Sequence, residues 1–123
     1  MRTFNIEPHV ALLSFSNFGV VQHPEGKKGA HAVELLRTRN PALTVDGEMQ
    51  ADTAVVERTL EAMYPFGTLT ERANVLIFPN LGTGTVAYTL LNHLGGATAI
   101  GPILVGMRRP CMCWKRAPRC RTS

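Results

Sequence analysis

The chain has 123 residues, 45% of them apolar and 18% charged, the balance of one globular domain or part of one. The formal charge of +4 is uneven, with seven Lys/Arg and nine Asp/Glu up to Met107, then six Lys/Arg and no acid from Arg108 to Ser123. The apolar runs fall short of the roughly 20 residues that span a bilayer, and Met1–Pro8 lacks the apolar stretch of a signal peptide, so a soluble, cytoplasmic protein without a membrane partner is expected.

His9–Phe15 (HVALLSF) is an apolar run closed by Ser16, Asn17 and Gly19, which predicts a buried strand ending in a turn. Pro24–Arg39 carries Ala32, Val33, Leu35 and Leu36 at helical spacing and stops at Asn40-Pro41. Leu43–Met49 reads as a short strand running into a glycine turn, and Asp52–Met63 as a single amphipathic helix. Asn74–Phe78 (NVLIF) is a strand ending at Pro79-Asn80, Thr85–Leu94 a helix stopped by Gly95-Gly96, and Ile100–Met107 a last strand. Strands alternating with helices imply a parallel sheet, and continuous apolar strands imply burial on both of its faces.

The terminal stretch from Arg108 concentrates the basic charge, all three cysteines (Cys111, Cys113, Cys120) and Trp114. No basic face or aromatic array continues into the body, so nucleic-acid binding is not expected. The Cys-x-Cys spacing is not that of a zinc ribbon, and His9, His23, His31 and His93 show no ligand spacing, so no metal is expected and the histidines are assigned to capping or solvent.

Open parallel sheets bind ligands beyond the carboxyl ends of their strands. Those ends carry Ser14, Ser16, Asn17 and Gly19; Asp46, Gly47, Glu48, Gln50 and Asp52; and Asn80, Gly82, Thr83, Gly84 and Thr85. Gly-Thr-Gly-Thr opening a helix offers free N–H groups to an anion such as phosphate. The competing reading is turn chemistry, helix capping and a solvated Asp46/Glu48 pair. The dinucleotide fingerprint GxGxxG, the P-loop and the nucleophile elbow GxSxG are all missing from the sequence.

Four blocks, VALLSFSNFG (Val10–Gly19), VDGEMQAD (Val45–Asp52), ANVLIFPNL (Ala73–Leu81) and AIGPILVGMRRP (Ala99–Pro110), resemble the phosphate acetyl/butyryltransferase family. The wording is most similar to the copy at the C-terminal end of bacterial NADP-dependent malic enzymes. The resemblance implies an α/β fold, a three-layer doubly wound mostly parallel sheet of the isocitrate/isopropylmalate dehydrogenase-like type, of which this chain would carry the C-terminal half only. It implies acyl transfer between coenzyme A and phosphate in free-standing members. In the malic-enzyme copy it implies a regulatory or assembly domain that senses acetyl-CoA and supports a homo-oligomer. The ligand-binding set for coenzyme A and phosphate would then be Ser14, Ser16, Asn17, Gly19, Asp46, Gly47, Glu48, Gln50, Asp52, Asn80, Gly101 and Pro102, with acetyl-CoA as ligand and no cofactor held by the chain.

The departures from the family are specific. Gly84-Thr85 stands where Gly-Asn is usual, and Val20 where a serine is common. After GMRRP the family continues Val-His-Val-Leu, and free-standing enzymes carry their catalytic Ser-Arg-Gly and Asp beyond it; this chain reads CMCWKRAPRCRTS. Back-translated and shifted by one base, Cys-Met-Cys-Trp-Lys can encode His-Val-Leu-Glu, so the tail reads as a frame-shift product. The expected organisation is therefore a partial acyltransferase-like domain over 1–110 and an aberrant, disordered basic tail over 111–123. Catalytic residues are absent from that reading, and the expected chain is inactive alone. The alternative is a non-enzymatic oligomerisation module.

Overall fold

A computed structural model of the chain describes residues 5–101, 103–104 and 111–112. The chain divides into two compact units, residues 1–85 and 86–123.

In the first unit, strand β1 (His9–Leu13) lies between β2 (Thr44–Met49) and β3 (Val75–Ile77), and both pairings are parallel. The HVALL sequence explains the central place, because successive side chains point to opposite faces and all but the first residue are buried. Val10 and Leu12 face one side, with Val45 of β2 and Val33 of helix α1 (Pro24–Arg39). Ala11 and Leu13 face the other, with Met49, Leu69, Ala73, Ala54 of helix α2 (Ala51–Val55) and Leu60 of helix α3 (Glu57–Met63). Helices thus cover both faces, in three layers, as the alternation predicts.

The predicted single helix over 52–63 is two. Val56 sits in the extended region between them, at φ −103° and ψ 101°, and its N–H closes α2 on the Asp52 carbonyl. Adjacent β-branched Val55 and Val56 weaken the helix at that point.

The predicted turn at Gly47 lies within β2. The β1–β2 register slips between Leu12, opposite Gly47, and Leu13, opposite Met49, so Glu48 is the extra residue of a bulge. The bulge resets the alternation: Met49 joins the α2/α3 face, while the Glu48 side chain turns to the α1 face. Gly47 is required there, since its φ is +136° and a Cβ would stand 2.6 Å from the Leu12 carbonyl oxygen.

Helix α4 (Leu81–His93) starts four residues earlier than the predicted Thr85, because Asn80 caps it. The division between the units falls within this helix, which buries none of its residues.

The last predicted strand differs in its pairing. Its described strand residues, β4 (Ile103–Leu104), pair antiparallel with β5 (Cys111–Met112) in a separate two-stranded sheet. A nearby antiparallel partner closes a shorter loop than a parallel crossover, at lower entropic cost. Cys111 and Met112 are accordingly strand residues; the remainder of the predicted disordered tail, 113–123, lies outside the described residues, as does Pro102. No helix among the described residues is long and apolar enough to cross a membrane.

Candidate functional site

A cavity of about 290 Å³ opens at the carboxyl ends of β1 and β3. Leu13, Ser14 and Phe15 bring β1 to it, and Phe78, Pro79 and Asn80 continue β3. Ala51 from the start of α2, Glu25 from the first turn of α1 and Thr83 from the first turn of α4 complete the lining. A second cavity of about 170 Å³ shares Leu13, Glu25, Phe78 and Pro79 and runs between α1 and β3, reaching Lys28 and Ala32.

The order of events along the chain explains this convergence. β1 ends where Ser14 donates its backbone N–H to the Met49 carbonyl, 2.8 Å away, holding the strand end against β2. β3 ends at Ile77, and Pro79 two residues on has no N–H with which to extend a ladder. Asn80 then accepts at Oδ1 from the Thr83 N–H at 2.9 Å and from the Thr83 hydroxyl at 2.7 Å, while its carbonyl accepts from the Gly84 N–H at 3.3 Å. The amides of Thr83 and Gly84, expected to be free for an anion, are thereby engaged within the protein.

Nine of the twelve sequence-derived residues fall into four groups, with Asp52, Gly101 and Pro102 outside them. Ser14 and Asn80 line the cavity. Ser16, Gly19 and Glu48 form an internal lock: the Glu48 Oε1 accepts from the Ser16 hydroxyl at 2.8 Å and the Gly19 N–H at 3.2 Å. Glu48 is 1% exposed, and its Oε2 is buried against Gly26 of α1 with no hydrogen-bond partner. Asn17 and Gln50 form a reciprocal surface pair, with the Gln50 N–H donating to the Asn17 side-chain oxygen at 2.7 Å and the Asn17 amide donating back at 3.3 Å. This pair ties the loop after β1 to the start of α2.

Asp46 and Gly47 belong to the fourth group. Asp46 is buried, and its Oδ1 accepts from Arg37 of α1 at 2.9 Å and from the Gly47 N–H at 3.0 Å. Its Oδ2 accepts from the Thr68 and Leu69 N–H groups. Arg37 reaches round the edge strand to also donate to the Val45 carbonyl and the Thr68 hydroxyl. Asp46 and Glu48 are therefore not the solvated pair that their sequence allows; each is committed to internal contacts on a different face of β2. Asp52 is exposed on α2, and Gly101 lies in the second unit.

Sequence reasoning missed the apolar lining, Phe15, Ala51, Phe78 and Pro79, and the acidic Glu25. The signal for Glu25 was its place immediately after Pro24 at a helix start facing the strand ends. Of the histidines, His23 caps α1, its Nδ1 accepting from the Glu25 N–H at 3.3 Å, as predicted for a capping role. Among the described residues, no group of three His, Cys, Asp or Glu side chains is placed to hold a metal.

Against known proteins, the family described as phosphate acetyl/butaryl transferase matches residues 1–121. A phosphate acetyltransferase of Paracoccus denitrificans is 45% identical over 111 residues, covering 90% of this chain and 35% of that protein. An NADP-dependent malic enzyme of Escherichia coli is 41% identical over 111 residues, covering 89% of this chain and 15% of the enzyme. Among solved structures, a phosphotransacetylase from Staphylococcus aureus superposes with a TM-score of 0.78 at 35% identity, over 83% of this chain and 32% of that one. The chain thus spans about a third of the length of its free-standing relatives.

Proposed function

Since this chain belongs to the phosphate acetyl/butaryl transferase family, we propose that it supplies one wall of an acyl-coenzyme A crevice in a regulatory or assembly domain, and that it transfers no acyl group alone. The observation that carries the reading is the cavity at the carboxyl ends of β1 and β3, the place where open parallel sheets hold ligands. Ser14 and Asn80 are its contact residues for the ligand; the other polar residues of the strand ends fix the loops that shape it. The three layers extend to the isocitrate/isopropylmalate dehydrogenase-like architecture, with further strands beyond the three paired here.

Inactivity follows from the lining. Transition-state stabilisation in acyl transfer needs donors fixed around the developing oxyanion in a site closed to water. The described wall offers neutral Ser14, Asn80 and Thr83 and an acidic Glu25, and among the described residues no hydrogen bond joins Ser14 to Glu25 as a nucleophile–base pair would need. Titrating the purified chain with acetyl-CoA by calorimetry is expected to show saturable binding, and incubating it with acetyl-CoA and phosphate to yield no acetyl phosphate. Turnover that tracks the protein through purification would refute inactivity, and absence of any binding heat at millimolar ligand would refute the crevice.

A second reading, an assembly module, is favoured by α4, where Leu81 is 87% and Leu94 after the helix is 82% exposed. Sedimentation of the chain at rising concentration tests it, with a monomer at all concentrations counting against it.

A further inference from the structure

The crevice discriminates between the two partners of an acyl-transfer reaction. Its wall is built from Leu13, Phe15, Ala51, Phe78 and Pro79. Among the described residues, the one ionisable side chain lining it is Glu25, which is acidic, and no Lys or Arg lines it. Lys28 reaches only the adjoining cavity, which also has Glu25 on its wall.

Two of the amides at the start of α4, those of Thr83 and Gly84, donate to Asn80 at 2.9 and 3.3 Å, and Leu81 and Gly82 before them are not among the residues that line the cavity. A phosphate entering here would lose its hydration and meet a carboxylate, with no cation among the described lining residues to compensate. Two neutral side-chain donors remain among the described lining residues. The Ser14 hydroxyl and the Asn80 side-chain amide donate to no acceptor among the described residues. At about 290 Å³ the cavity is at the small end of ligand pockets, with room for a short chain and not for a nucleotide.

We infer that this crevice holds the uncharged end of an acyl thioester, the acyl chain on the apolar wall and its carbonyl oxygen accepting from Ser14, and that it excludes phosphate. The inference rests on the acyl-coenzyme A reading above and assigns which part of that ligand the wall recognises. The phosphate partner must then be held by groups other than these.

The test is an amide chemical-shift titration of the full chain with two probes, S-butyryl-N-acetylcysteamine, a neutral thioester without phosphates, and inorganic phosphate. The thioester is expected to shift the Leu13, Ser14, Phe15 and Thr83 amides saturably, and phosphate to leave them in place. Ser14→Ala should weaken thioester binding roughly five-fold, the size of one net hydrogen bond. Ala51→Leu, which fills the cavity from an exposed helix position, should weaken it at least ten-fold while the urea midpoint of the chain is retained. Phosphate shifting the same amides would overturn the inference. So would a thioester that leaves them unmoved: if acetyl-CoA still binds, the inference alone fails, and if acetyl-CoA binds nowhere, the acyl-coenzyme A reading fails with it.

Discussion

Replacing Gly26 by alanine probes the internal lock most sharply. An added Cβ would stand 2.3 Å from the Glu48 Oε2, 2.7 Å from its Oε1 and 2.8 Å from its Cδ. Real Cβ atoms do not approach so closely, so something must move. Glu48 has little room to give, because it is 1% exposed and its Oε1 is held by Ser16 and Gly19. Overpacking a tight site costs about 1–3 kcal/mol. Alanine in the first helical turn returns about 0.5 kcal/mol of propensity. The expected net loss is about 1–2 kcal/mol, read as a lower urea midpoint at constant slope. Glu48→Ala alone should cost about 2 kcal/mol through the void and the orphaned Ser16 and Gly19 donors. In the double variant the new methyl enters that void, so the combined loss should be smaller than the sum by at least about 1 kcal/mol. A Gly26→Ala chain as stable as the parent, or losses that simply add, would refute the placement of Glu48 beneath α1.

Other outcomes follow from the same geometry. Asp46→Ala should destabilise by about 3 kcal/mol because it takes the acceptor from the Gly47, Thr68 and Leu69 N–H groups together and breaks the ion pair with Arg37. Arg37→Met should cost only about 1 kcal/mol, since Arg37 is 46% exposed and Asp46 keeps its backbone donors; thermal or urea midpoints compare the two, and equal losses would contradict this asymmetry. Gly47→Ala should lose at least about 2 kcal/mol from strain at positive φ and the clash with the Leu12 carbonyl, measurable as a fall in Tm. Among the described residues, a chain ending at Pro110 forfeits the two-residue β4–β5 ladder, and its urea midpoint in reducing buffer is expected to correspond to a change below about 0.5 kcal/mol; a loss above about 2 kcal/mol would make residues 111–123 a packed element.

Much of the fold was legible because its cause is local. VALL, Val10–Leu13, is apolar without interruption, and a parallel strand with helices on both faces has that composition for a physical reason. Pro24 and Asn40-Pro41 punctuate α1 through backbone restrictions that need no tertiary context. The bulge at Glu48 was not legible, since it arises from pairing with β1 thirty-five residues earlier, where Leu13 takes Met49 rather than Glu48 as its partner. The start of α4 was displaced for a subtler reason: Asn80 reads equally as a turn residue and as a cap, and only the Thr83 contacts decide it. The strand-end residues were found, but not their division of labour. Asp46 and Glu48 sit two positions apart in a strand and would share a face in a regular ladder. The bulge between them places one beside Arg37 and Thr68 and the other under Gly26, and sequence spacing carries no trace of that.

The central claim is that the ligand crevice lies at the carboxyl ends of β1 and β3. An amide chemical-shift map of the full chain titrated with acetyl-CoA tests it most directly. The expected result is a saturable set of shifts confined to Leu13–Phe15, Ala51 and the Phe78–Thr83 turn, with the amides of α3 unmoved. Shifts centred on α3 or on the second unit, with those around Ser14 and Asn80 unchanged, would contradict the claim.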